Sequence, residues 1–399
     1  MLFRSVDTTY NGLGQVQSVS NAYRSTGDST YGITSYTYDA LGRKRYQCQP
    51  DNGSNTPCVA KNSYLEWDYT GNVTTAYDEL RNKWQRTTDA LGRLTNVVEP
   101  SGANTGYIYD ALDNLLTVNQ NGVKGDTSRI RNFNYDSLSR LHCASNPENS
   151  SNACPTSATT PLPSGVTGYT YDANGNLTSK TDPRSITTNY HYDALNRLLS
   201  ITYTNDTTGT ASSCYQYDGA STANLIGRLI NQWTQAASLG ACAVTLPSTG
   251  YLTLRSILAY DSMGRIKSEQ QCTKSNCVTG TSYSPAYTYD LAGNILTHSD
   301  GVGMRVFTNC YDAANHLLSV VSVSATCPAT LSASTALFSS PGYNPAGGLT
   351  AATFGAGLQL SRSYDSRLRV TSETDIGNAA PSAPGSAILT ITGTEHIQP

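Results

Sequence analysis

A chain of 399 residues would ordinarily divide into two or three domains. Charged residues make up only 14%, the formal net charge is −3 and Tyr outnumbers Phe 27 to 5. This balance gives no electrostatic case for nucleic acid or an anionic membrane surface, and it makes amphipathic aromatics the main source of buried surface. No stretch approaches the run of ~20 apolar residues that a membrane-spanning helix needs.

Taken from the N-terminus, residues 1–7 lack the basic, apolar and small-residue order of a signal peptide. The chain enters a recurring unit at Tyr10-Asn11, an abrupt start expected of a piece of a larger protein or of a chain whose true start lies upstream. That unit is written most fully at Tyr169-Thr170-Tyr171-Asp172-Ala173-Asn174-Gly175-Asn176-Leu177. Tyr169 and Tyr171 are two apart and share a strand face, and Asp172 opens a turn by accepting from backbone N–H groups just ahead of it. Gly175 supplies positive φ and Leu177 begins the return strand, so the unit predicts a β-hairpin.

Close copies set Tyr38, Asp39 and Gly42, then Tyr109 and Asp110, then Tyr192 and Asp193, then Tyr289, Asp290 and Gly293 in the same register. Looser copies fall at Tyr10-Asn11, Trp67-Asp68, Thr88-Asp89, Tyr135-Asp136, Tyr217-Asp218, Tyr260-Asp261 with Gly264, Tyr311-Asp312, Tyr343-Asn344 and Tyr364-Asp365. Five residues after the Asp runs an aliphatic column that includes Val73, Leu94, Leu141, Leu198 and Leu317, and this column is expected to form the core. Asp89 and Asp110 are 21 residues apart, as are Asp172 and Asp193. At ~3.3 Å per residue such a unit accommodates two strands and two turns, one hairpin per repeat. A second turn type, at 100–104 and 181–185, joins one hairpin to the next through Pro. With no sustained helical periodicity, the expectation is an all-β array of stacked hairpins. The array is assigned to residues 1–370. Residues 371–399 read as an Ala/Pro/Ser-rich linker followed by a partial strand at 387–394.

The ten cysteines fall as five local pairs around polar insertions: Cys48 with Cys58, Cys143 with Cys154, Cys214 with Cys242, Cys272 with Cys277 and Cys310 with Cys327. This arrangement reads as disulfides tying each insertion at its base, and hence as an oxidising compartment. The competing reading is zinc at 272–277, although no second close Cys or His pair follows at ligand spacing.

The Tyr-Asp-x-x-Gly-Arg/Asn-Leu unit resembles the YD repeat of bacterial Rhs proteins and the related region of teneurins, most closely at 36–43, 169–177 and 190–198. The resemblance extends over about nine-tenths of the chain. It implies a long sheet spiralling into a hollow β-shell, which in bacterial relatives encloses a variable C-terminal toxin during export. No counterpart of the segment that closes such shells and no toxin domain is recognised in these residues, so toxin delivery would belong to a parent protein. The function implied is a structural wall of an exported or cell-surface protein, with a C-terminal toxin or cargo domain as partner. An adhesive module binding glycans or surface proteins through exposed tyrosines is the alternative, and a glycan-cleaving β-solenoid enzyme is the remote one.

Site chemistry is weighed against these structural roles. The Asp column could be a calcium ladder, but the Gly-Gly-x-Gly-x-Asp nonapeptide is absent and turn capping explains the same residues. His142, His191, His298, His316 and His396 adjoin no candidate nucleophile in a Gly-rich elbow. The glycines of 301–305 lack a βαβ context for a nucleotide. No catalytic residue, cofactor or metal is assigned. The Arg column (Arg43, Arg93, Arg140, Arg197, Arg228 and Arg265) is expected to pair with Asp or Tyr of adjacent units.

Overall fold

Each unit folds as a hairpin whose turn has one recurring form. Gly42 N–H donates to the Asp39 carbonyl at 3.0 Å and Asp39 N–H donates to the Arg43 carbonyl at 2.9 Å. Gly42 has φ +79°, which makes the loop a type I turn closed by a left-handed residue and a bulge. The register accordingly shifts at Thr37/Tyr38, and likewise at Thr170/Tyr171 and His191/Tyr192. This computed structural model describes residues 4–50, 63–122, 126–149, 152–156, 161–273, 277, 280–302, 305–322, 327, 336–355 and 357–377, with the backbone of Ser386–Thr392.

The strands from Thr8–Tyr10 to Ile266–Cys272 make a 20-stranded sheet, and those from Tyr287–Tyr289 to Ser386–Thr392 a 9-stranded one. Pairing is antiparallel between chain neighbours, as the short connections dictate. Contacts divide the chain into two units. One comprises Met1–Trp84, Thr288–His298 and Arg305–Pro399, the other Gln85–Tyr287 and Ser299–Met304. Within the first, the last turns meet the first strands. Asn21 Nδ2 donates to the Ser366 carbonyl at 2.6 Å, Arg4 Nη1 to the Pro345 carbonyl at 3.2 Å, and Arg367 Nη1 reaches both carboxylate oxygens of Glu79 at 2.7 and 2.8 Å. The second runs hairpin after hairpin from Leu94–Val98 to Ile266–Cys272. At the far end, Val370–Gly377 carries strand structure past residue 370, and Ser386–Thr392 pairs with it antiparallel. Residues 378–385 and 393–399, where the linker and the end of the tail were expected, lie outside the described residues.

Two expectations are corrected. Asp68 does not open a turn. It lies inside the strand Tyr64–Thr70 opposite Thr75, with Arg45 Nη2 2.8 Å from its carboxylate, and the chain reverses over Gly71 and Asn72. Gly71 stands in the register of the repeat, at the end of the strands shared with Gly92, but the tight reversal over Gly71 and Asn72 leaves no loop for Asp68 to close; Asp78, whose N–H donates to the Asn82 carbonyl, closes the next turn at the other end of the strands. The aliphatic column is half-buried and is not the core. The buried apolar set is instead Trp233, Tyr64, Ile257, Val321 and the in-strand half-cystines Cys48, Cys143, Cys214, Cys272 and Cys310, among others. A residue beside an aspartate turn has one strand neighbour and open space beyond the edge, whereas these positions, mid-strand or at the strand ends remote from those turns, are covered on their face.

The left-handed turn position is not always a residue that suits it. Leu368 holds φ +63°, a conformation costly for a side chain of its size. Leu368→Gly is expected to raise stability by about 1 kcal/mol, read as an upward shift of the urea midpoint at unchanged slope.

Candidate functional site

A constellation repeated along the described residues is built on the turn aspartates. In the turn opened by Asp172, Oδ1 accepts from the N–H groups of Asn174 and Asn176, both at 2.9 Å, and Oδ2 accepts from the Asn176 side-chain amide at 2.8 Å. Asp39, Asp89, Asp136, Asp193 and Asp261 use an arginine in that last place, with Nε donating to Oδ2 at 2.6 to 2.8 Å. Asp110 and Asp290 use Asn114 and Asn294, and Asp312 uses His316 Nδ1 at 3.0 Å. Asn11 and Asn344 stand in the aspartate position and still accept from backbone N–H groups ahead of them. Asp182, assigned to a different turn type from its Pro, builds the same circuit with the N–H groups of Arg184 and Ile186.

The tyrosine before the turn reaches backward. Its hydroxyl donates to the main-chain carbonyl of the residue that begins the return strand of an earlier hairpin: Tyr38 to Val16 at 2.8 Å, Tyr171 to Leu141 at 2.9 Å, Tyr192 to Leu177 at 3.1 Å and Tyr260 to Leu229 at 2.8 Å. Tyr311, Tyr343 and Tyr364 repeat the contact on Ile295, Leu317 and Leu349. Burial pushes the phenols of Tyr171, Tyr192, Tyr260, Tyr311 and Tyr343 above the ordinary tyrosine value. Tyr109 and Tyr289 precede the turns of Asp110 and Asp290, which have the common backbone form with Asp113 and Gly293 at the left-handed position. Arginines of the turns then reach forward. Arg140 lies 4.8 Å from the Tyr171 ring centre and donates to the Asp172 carbonyl, Arg93 lies 5.2 Å from Tyr109 and donates to the Asp110 carbonyl, and Arg43, Arg197 and Arg228 lie over Tyr69, Tyr217 and Tyr260. His316 stacks on Tyr343 in the same manner, 4.7 Å between ring centres.

The disulfides lie away from this ladder. Cys143–Cys154, Cys214–Cys242, Cys272–Cys277 and Cys310–Cys327 are bonded, with Cα atoms 5.1 to 5.8 Å apart. Cys48 is also disulfide-bonded, and Cys58 lies outside the described residues. In Cys143–Cys154 and Cys214–Cys242 the bond does not tie the base of an insertion. It runs from a buried strand cysteine to one within the loop and folds the loop back over the sheet. Cys214 and Cys310 alternate with tyrosines of their own strands, so the clipped loops lie on the face away from the ladder. A cavity of about 410 Å³ opens beneath the loop of Cys242, lined by His191, Ser200, Thr202, Ala241 and Val244 among others. Buried Gln235 holds its roof by donating to the Gly240 and Ala241 carbonyls. A second cavity, of about 380 Å³, involves His142, Leu162 and Tyr169.

Of the remaining histidines, His191 pairs with Ser200 Oγ at 3.2 Å and His298 stacks on Phe307, while His396 lies outside the described residues. Among the described residues no cluster of three His, Cys, Asp or Glu could hold a metal ion, and no helix is long and apolar enough to cross a membrane.

The geometry defines an antiparallel repeat protein whose unit is a hairpin closed by an aspartate turn and locked to an earlier hairpin by tyrosine. The family model for the RHS repeat matches residues 89–122 and 171–208, and the chain carries RHS repeats. Each matched stretch spans two neighbouring turns of one row, Asp89 to Asp110 and Asp172 to Asp193. A sequence search of curated proteins gives no match. Among solved structures the chain is similar to a TcdB2-TccC3 crystal structure (15% identity, 97% of this chain and 19% of that one, TM-score 0.63) and to TcdB2-TccC3-Cdc42 (14%, 92% and 18%, TM-score 0.59). It is also similar to a Tc holotoxin pore of Photorhabdus luminescens (13%, 98% and 22%, TM-score 0.50). The chain thus spans about a fifth of the chains it resembles, and at these identities the likeness is one of fold.

Two measurements test the turn circuit. Asp172→Ala removes an acceptor of two backbone N–H groups and is expected to lower the urea midpoint, whereas Asp172→Asn keeps Oδ1 and should lower it by well under half as much, as the natural Asn11 and Asn344 turns indicate. The Asn or Arg side chain donating to Asp172, Asp110, Asp290 and Asp89 holds these carboxyls below the usual aspartate range. A lowered native pKa stabilises above the unfolded value of about 3.9 and is lost as pH falls through the native one. Denaturant midpoints should therefore hold steady down to about pH 5 and decline below about pH 4.

Proposed function

We propose that this chain is a non-catalytic wall segment of a larger, exported or cell-surface RHS-repeat protein, and that its sheet encloses or presents another domain of that protein, a toxin in the leading case. The observation that carries the reading is the use to which the repeated polar side chains are put. The aspartates, arginines and tyrosine hydroxyls that recur along the chain are spent on main chain and on one another, turn after turn. A catalytic carboxylate must meet substrate, and these meet the backbone. The RHS-repeat match, the fold shared with chains of TcdB2-TccC3 complexes and a Tc holotoxin, and the disulfides support the same reading, the last of them pointing outside the reducing cytosol.

The test uses the full reading frame. A domain walled in by the array should resist protease while the array is intact and become digestible when Asp172 and Asp193 are both replaced by Ala. A reading frame that ends with this chain, or a neighbouring domain cleaved equally fast with either array, would overturn the proposal.

A further inference from the structure

The turns present a feature that the wall role does not use. The residue two places after the aspartate is large, apolar and exposed in hairpin after hairpin. Within Gln85–Tyr287 it is Leu91 (74% exposed), Leu112 (68%) and Leu138 (69%) in three successive aspartate hairpins, then Leu195 (70%) and Met263 (60%), set apart by hairpins that carry Asn174 and Ala220 in that place. Its backbone N–H is committed to the aspartate in every one of these turns, so the side chain is held outward by a rigid turn. Successive hairpins lie two strands apart, about 9.5–10 Å, so Leu91, Leu112 and Leu138 form an unbroken apolar row along one edge of the hairpins, and Leu195 and Met263 continue it with gaps. Rows of this size are uncommon on surfaces that face only water.

One of these turn positions docks on another turn elsewhere in the chain, while Leu13 and Leu41 of the first unit stand exposed like the row above. Within the first unit, Arg367 occupies the position of the leucines in the Asp365 turn and grips Glu79, the residue after Asp78, in another turn. Both side chains are largely shielded there, at 14% and 19% exposure. One turn thus grips another through an ion pair. The edge of the second unit also alternates in charge, because each of Asp89, Asp136, Asp193 and Asp261 stands beside its arginine. A like edge running the opposite way can therefore set acid against base while leucine meets leucine at the same spacing.

We propose that the turn edge carrying Leu91, Leu112, Leu138, Leu195 and Met263 is an interface for a second RHS-repeat edge, supplied in solution by a second copy of this chain. Five side chains, each exposing on the order of 100 Å², bring about 500 Å² per partner, and the flanking turn atoms extend this toward the ~1,200 Å² of a small specific interface.

Sedimentation velocity and light scattering on the intact, oxidised chain decide the matter. The wild type should pass from monomer to dimer through the micromolar range, and Leu112→Glu with Leu138→Glu should remain monomeric at every concentration with an unchanged circular dichroism spectrum. Leu112→Met with Leu138→Met should still dimerise, which separates loss of the apolar row from damage to the turn. Hydrogen exchange should show protection gained on dimerisation at 89–93, 110–114 and 136–140. A wild type monomeric throughout that range, or a dimer that survives the Glu substitutions, would overturn the interface. Either result would leave the wall-segment reading standing, since that reading depends on contacts within the array.

Discussion

The fold depends on a carboxylate accepting three hydrogen bonds at once. In a hairpin of this form, the N–H groups two and four residues past the aspartate point into the loop and would otherwise face water or nothing. The aspartate takes both on Oδ1 and leaves Oδ2 to hold an arginine, asparagine or histidine side chain. That held side chain is then aimed at the next turn, as Arg140 is at Tyr171 and Asp172. One side chain therefore shapes its own turn and orients the contact to the next. This coupling is why the array can be regular while its sequence is not.

The tyrosine hydroxyl provides the complementary link, because it binds main chain. A hydroxyl on a carbonyl asks nothing of the side chain at the target, so Val16, Leu141, Leu229 and Ile295 serve equally. The phenol's ring supplies apolar contact in a sheet that has little other means of burying it. Buried charge is handled in the same economical way. Glu269, almost wholly buried, accepts from Arg255 Nε at 2.6 Å, from Gln271 of its own strand at 2.9 Å and from the Tyr287 hydroxyl at 3.2 Å, so desolvation of its charge is offset by three donors.

The hairpin period was legible in the sequence because it is set by local chemistry, an acceptor followed three residues later by a residue that tolerates positive φ. Where that chemistry was imitated or concealed, the reading failed. Asp68 has its glycine but sits in a strand, and Asp78 has Arg81 at φ +64° where a glycine was sought. The Pro183 turn concealed an aspartate circuit. The target of each tyrosine was not legible at all, since a carbonyl 15 to 31 residues away leaves no trace in residue identity. Nor was the position of the buried set, which depends on loops folding back over the sheet and not on the apolar column beside the turns.

The division of labour between the two faces explains how this chain tolerates its insertions. Tyrosine locks, forward-reaching arginines and most of the turn circuits occupy the tyrosine face and one row of turns, so a loop lengthened at the opposite ends of the strands, where Asp78 and Asp182 close short turns of the same form, leaves that row in place. Closing a longer loop costs little in chain entropy, about 0.6 kcal/mol per doubling, and a disulfide to a strand cysteine then fixes where it lies. Cys214–Cys242 shows the consequence: a 28-residue separation is drawn onto a buried strand position, and Gln235 clamps the same loop from below. The insertion becomes cover for the face that the repeat leaves bare. Buried Trp233 lies opposite Cys214 in the ladder and beneath that cover. The irregular parts of the chain thus supply the burial that the regular parts lack.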